Sequence, residues 1–210
     1  MKLEISIPTE LKEIKLSQYQ AFLKIAKDNE DTEFLHQKMV QVFCGIDLGK
    51  QEDYTVATFI DSRGKVVDIY RSNAQEWTTM VNEIVIRIRK WNATTMIEVN
   101  SIGDVIFEMV KKQWQDSHPF ITTSKSKQEI IEGLILDMND EVIRIPSPQL
   151  FSWLYNELSY FTYDYNPKTR SIKYGHPSGQ HDDTVISLAI ANYNRKQNKT
   201  MGTYAVMGSR

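Results

Sequence analysis

The chain has 210 residues, of which 41% are hydrophobic and 25% charged; this is enough apolar surface for one sizeable core, and the balance excludes an intrinsically disordered polymer. A formal net charge of -2 excludes capture of polyanions by overall charge, leaving local basic surface or carboxylate-held metal ions as the routes to nucleic acid. The single cysteine, Cys44, excludes an internal disulfide and fits a reducing compartment, and with no base or cation beside it in sequence it is not read as a nucleophile. No apolar run approaches the roughly 18 residues of a membrane span, and the acidic, interrupted N-terminus lacks a signal peptide's shape, so the sequence predicts a soluble, cytoplasmic protein.

Residues 1–41 differ in texture from the rest. Leu16, Tyr19, Phe22, Leu23 and Ala26 fall at helical spacing, Asp28-Asn29-Glu30-Asp31 breaks the pattern, and Phe34 to Val40 reads as a second short helix. The expectation is a helical N-terminal appendage that packs on the main domain or on a partner and carries no chemistry of its own.

From Val42 the pattern becomes α/β. Val42 to Gly49 is an apolar run ending in a carboxylate and a glycine, followed by a polar turn and by Tyr54 to Ile60, rich in β-branched and aromatic residues. Asp61-Ser62-Arg63-Gly64-Lys65 is a turn, and Val66 to Tyr70 a third strand. Short connections make these three an antiparallel meander. Trp77, Met80, Val81, Ile84, Val85, Ile88 and Trp91 then mark one face of a helix whose tryptophans belong to the core. Thr95 to Val99 is a fourth strand, reached through that helix and so expected parallel to the first.

A helix over Ile102 to Trp114 follows, then a short strand at Phe120-Ile121-Thr122. Ser126 and Glu129 match a capping box ahead of a helix through Met138. Val142 to Ile145 reads as another short strand, Leu150 to Leu158 as a helix, and Tyr163 to Tyr174 as a hairpin with a polar, basic tip. Gly175 to Gly179 is a loop, Asp182 or Asp183 starts the last helix, and the tail 196–210 is expected to be loose.

Acidic side chains stand out by position. Asp47 closes the first strand, Glu98 the fourth, and Asp182-Asp183 opens the final helix. Adjacent parallel strands bring their carboxyl ends to one sheet edge, and a helix start tolerates a further negative charge. An acid at a strand end is commonly a solvated charge, and an acidic pair at a helix start is commonly a cap. Together, in a β-β-β-α-β-α order, they describe carboxylates that repel one another unless a proton or a hard divalent cation sits between them. Mg²⁺ or Mn²⁺ is the natural remedy, and two such ions can cleave a phosphodiester. Lys125 and Lys127 flank a helix start suited to a phosphate, while Lys168, Arg170 and Lys173 line the hairpin, so both groups are candidate DNA-backbone contacts. His181 is placed to pack before the helix or to tune a metal-bound water.

The sequence resembles the C-terminal nuclease domain of tailed-bacteriophage large terminase subunits, which have a ribonuclease-H-like fold. The resemblance rests on Gly45-Ile46-Asp47-Leu48-Gly49 with Asp53-Tyr54-Thr55-Val56, on Ile97-Glu98-Val99-Asn100, and on Gly175 through Asp183 ahead of Leu188-Ala189. It covers roughly residues 43–195. It implies a mixed sheet, a three-strand antiparallel meander plus parallel strands, flanked by helices, over a nuclease domain at 42–195. It also implies Asp47, Glu98 and Asp183 as the triad holding two Mg²⁺ or Mn²⁺ ions, with Asp182 as a cap or an additional ligand. The implied activity is endonucleolytic cutting of double-stranded viral DNA during genome packaging. The implied setting is the infected host's cytoplasm, with portal, small terminase and ATPase motor as partners. The segment Gly45 to Lys50 is not a phosphate-binding loop, since three residues separate its glycines and Gln51 stands where Ser or Thr should be. The motor is therefore expected on another chain. Two other classes share this core, a non-catalytic packaging or scaffold subunit and, less well matched in length, an actin-like ATPase.

Overall fold

The computed structural model describes residues 40–49, 53–73, 76–99, 103–168 and 171–207. The expected helices within 1–39, and Arg170, lie outside them. From Val42 onward the chain forms one compact unit.

Five strands form the main sheet: β1 (Val42–Asp47), β2 (Thr55–Asp61), β3 (Val66–Ser72), β4 (Thr94–Glu98) and β5 (Ser117–Phe120), in the order β3-β2-β1-β4-β5. β1 to β3 are the antiparallel meander, and β4 lies parallel to β1, with Ile46 opposite Ile97. The helices are α1 (Trp77–Trp91), α2 (Gly103–Gln113), α3 (Ser124–Asn139), α4 (Ser152–Tyr160) and α5 (Asp183–Met207). Two further strands, β6 (Thr162–Asn166) and β7 (Ser171–Gly175), pair with each other as the expected hairpin. Among the described residues no helix is long and apolar enough to cross a membrane.

The strand period of two divides the core into two layers. Val42, Cys44 and Ile46 of β1 meet Met80, Ile84 and Ile88 of α1, whereas Phe43 belongs with Leu134 of α3 and Leu188 of α5. Trp91 is buried in the first layer and its indole N–H donates to Asp68 at 2.9 Å, which makes it a core residue as expected. Because Asp47 shares the face of Phe43, and Glu98 that of Met96, both carboxyls project toward the α5 layer.

α5 is the element on which that layer turns, buried without interruption from Asp183 to Asn192. It lies so close to β1 that a Cβ at Gly45 would stand 2.2 Å from Ala191 N and 2.4 Å from Ser187 O. Polar side chains fix its register on the sheet: Ser187 Oγ donates to Gly45 O at 2.9 Å, and Asn194 Nδ2 to Cys44 O at 3.2 Å and Thr94 O at 2.9 Å.

Four sequence expectations are corrected. β5 is Ser117–Phe120 rather than 120–122, with Pro119 tolerated because β5 is an edge strand. The capping box belongs to Thr123 and Ser126, not Ser126 and Glu129: Thr123 is the N-cap and Ser126 answers it from the third helical position. Val142 to Ile145 forms no strand but a single parallel bridge, Arg144 with Lys65, before Pro146 ends any ladder. The 196–207 stretch, expected to be loose, continues α5 to Met207; no glycine or proline interrupts it before Gly202, and Asn198 Nδ2 donates back to Asn194 O at 3.0 Å.

Candidate metal centre

One register step beyond the Ile46–Ile97 pair stand Asp47 and Glu98, at the carboxyl ends of adjacent parallel strands. Asp47 is only 8% exposed. Burial is the largest cause raising its pKa well above the ordinary carboxylate value, followed by a side-chain hydrogen bond with Glu98 and by the charges of Glu98, Asp183 and Asp182.

Asp183, the first residue of α5, is 7% exposed. Tyr54 N donates to its Oδ2 at 3.1 Å, which ties the helix start to the chain between β1 and β2. Burial chiefly lifts its pKa to about 6, with repulsion from Asp53, Glu157 and Asp182 adding to it and the Tyr54 bond opposing it. Asp182, by contrast, is engaged elsewhere: Lys127 Nζ lies 3.2 Å from its Oδ2, and His176 Nε2 lies 3.6 Å from its Oδ1.

Sequence reasoning gave Asp53 no role. It lies in the turn after β1, and the fold brings it to the start of α5. Asp53, His181 and Asp183 offer three ligating atoms within 4.8 Å of one another. His181 Nδ1 is 3.7 Å from Asp53 Oδ1 and 3.6 Å from Asp183 Oδ2. That nitrogen is shielded from solvent yet has no hydrogen-bond partner among the described residues. Asp183 thus groups by distance with Asp53 and His181, whereas Asp47 and Glu98 stand outside that group and Asp183 reaches Asp47 through the charge that helps raise its pKa. The carboxylates are oxygen donors of the kind that hard divalent cations take, and the ring nitrogen adds a borderline ligand beside them.

The basic candidates are divided. Lys127 and Lys173 line one cleft of about 420 Å³, with Thr123 and Ser124 at the start of α3 and Tyr174 of β7. Lys125 and Lys168 are exposed, the first in the opening turn of α3 and the second in the β6–β7 turn. Cys44 is fully buried, and burial pushes its thiol pKa up, away from thiolate chemistry.

No protein-family model matches the sequence, and no curated protein matches it. Solved structures do. The large terminase nuclease of thermophilic phage G20c with bound magnesium superposes with a TM-score of 0.66 at 25% identity, covering 74% of this chain and 82% of that one. The chain has the fold of a phage large terminase nuclease domain. The Thermus phage P74-26 large terminase nuclease domain gives a TM-score of 0.62 at 24% identity, over 72% of this chain and 78% of that one. Against the HK97 large terminase the TM-score is 0.58 at 11% identity, and the match spans 73% of this chain but 39% of that protein. In this terminase-nuclease frame Asp47 and Glu98 close the paired central strands, and Asp183 opens the helix laid across them.

Proposed function

We propose that the chain is a metal-dependent endonuclease domain that cuts double-stranded viral DNA during genome packaging. Asp47, Glu98 and Asp183 would be the principal ligands of two Mg²⁺ or Mn²⁺ ions. The observation that carries this reading is the hydrogen-bonded Asp47–Glu98 pair at one sheet edge with Asp183 close enough to raise the Asp47 pKa, in a fold shared with a nuclease solved with magnesium. Bound ions would activate water and stabilise the leaving oxygen of the phosphodiester.

The chain's own residues supply the rest. Asp47 would give up its proton when an ion is held, and Tyr54 N orients Asp183 Oδ2. Asp53 and His181 stand ready as further ligands or as holders of a metal-bound water. Asp182 serves as an anchor, tying the start of α5 to Lys127 and His176. The cleft bearing Lys127 and Lys173 would take the DNA backbone by charge rather than by base reading, with the exposed Lys125 and Lys168 as further backbone contacts; Arg170, the remaining basic candidate, lies outside the described residues. Residues 42–195 would be the nuclease domain and 1–41 a docking piece. The ATPase motor, portal and small terminase would be its partners in the host cytoplasm.

Cleavage of supercoiled plasmid with Mn²⁺, Mg²⁺ or chelator tests the reading. Cutting is expected with either metal, and is lost with chelator and in Asp47→Asn. Metal-independent cutting, or an active Asp47→Asn, overturns it.

A further inference from the structure

We propose that Arg71 and Glu157, remote in sequence from every acid of the site, form a positioning pair that sets the metal-binding end of α5; the inference rests on the metal-site reading above. Glu157 of α4 is only 6% exposed and uses both carboxylate oxygens. Oε1 accepts from Arg71 Nη2 at 3.1 Å, and Oε2 accepts from Thr184 N at 2.7 Å. Arg71 of β3 also lays its guanidinium over the Tyr54 ring, 3.4 Å from the centroid, with Trp153 at 5.4 Å. Tyr54 is the residue whose N–H donates to Asp183, and its ring meets His181 edge-on at 5.2 Å. One guanidinium therefore touches two residues, and each holds one of the neighbours Asp183 and Thr184.

Packing alone does not account for this arrangement. A buried ion pair is weak evidence for stability, because well-packed apolar residues of similar volume usually serve as well or better. Here, moreover, a carboxylate is buried where it adds repulsion to Asp183. What it gains is geometric. Thr184 N is the amide that an acid preceding the helix would ordinarily cap. With Glu157 on that amide, Asp182 is left to Lys127 and His176, and Asp183 is left to the site. Arg71 balances the Glu157 charge and clamps Tyr54 in the same contact.

The test measures Mn²⁺ binding to the full chain by calorimetry, with thermal unfolding alongside. The decisive variant is the paired swap Arg71→Met with Glu157→Leu, which removes the charges and keeps the bulk. Wild-type-like unfolding with Mn²⁺ affinity down about tenfold or more, the usual loss on removing a ligand's supporting partner, supports positioning. Wild-type affinity in that variant overturns it. If the swap does not fold, Arg71→Lys decides: it keeps every charge but not the planar fork that reaches both Glu157 and the Tyr54 ring, so a several-fold weaker Mn²⁺ affinity supports the proposal and an unchanged one overturns it. Asp183→Asn separates the two claims. If it abolishes binding while the swap binds as wild type, the metal site stands and the positioning role falls. If wild type itself binds no Mn²⁺, both fall.

Discussion

On the proposed reading, Asp47 is a position held for function without a compensating gain in stability. Its carboxyl is buried and shares a hydrogen bond with Glu98, so the metal-free fold already prefers it neutral. Asp47→Asn supplies a neutral side chain of the same shape, whose amide can donate to Glu98. Urea unfolding without metal should therefore give wild-type stability or up to about 1 kcal/mol more. Plasmid cleavage should fall about a hundredfold or more, the scale of losing one electrostatic group at a reacting centre. Cys44 is the contrasting residue on the same strand. Its buried thiol with a raised pKa should resist iodoacetamide in the folded protein, and Cys44→Ala should cost about 1 kcal/mol while leaving cleavage unchanged. Inhibition by alkylation of the native chain would return the thiol to consideration as a functional group.

Among the elements, contact between α5 and β1 is what brings Asp183 to Asp47, and two glycines separate that contact from ordinary helix propensity. A methyl at Gly45 would meet the backbone of α5 at 2.2 Å, and backbone cannot rotate aside. Gly45→Ala should cost about 3 kcal/mol, with a lower urea midpoint and an unchanged slope, and should weaken Mn²⁺ binding because α5 must lift. Gly133, inside α3, has only the flexible end of Lys196 within reach, at 3.8 Å. Gly133→Ala should stabilise by about 0.5–1 kcal/mol and leave metal binding untouched. β1 to β4 and α1 were legible, the strands as short apolar and β-branched runs between turn residues and α1 by its unbroken period of 3.6, and the places of Asp47 and Glu98 at strand ends and of Asp183 at a helix start were legible because they end or begin such runs. Junctions were less so. Ser126 reads as a cap from its own neighbours, and only the position of Thr123 makes it the answering residue. The apolar run at Val142–Ile145 finds a single bridging partner. Asp53, Arg71 and Glu157 look like surface charges in sequence, since what gives them meaning is proximity to a helix start more than a hundred, or in Glu157 nearly thirty, residues away.

Over the whole molecule the acidic edge sets how stability depends on pH and metal. Asp183 is lifted from the ordinary 3.8 to about 6, chiefly by burial, so the folded chain holds this proton more tightly than the unfolded one. The stability this contributes is complete below about pH 3.8 and is lost as pH rises through about 6. A shift of about two units sets its ceiling near 3 kcal/mol. Asp183→Asn, which cannot ionise, should therefore melt higher than wild type at about pH 8 in chelator, and the gap should close toward about pH 4. A divalent ion at the same edge offsets the repulsion that deprotonation creates. Mn²⁺ at about pH 8 should raise the wild-type melting temperature by mass action and do so far less for the variant. Differential scanning fluorimetry at both pH values, with chelator and with Mn²⁺, reads all four comparisons. A melting gap of equal size at both pH values would assign the variant's effect to packing rather than charge, because only a titrating carboxyl makes the gap follow pH.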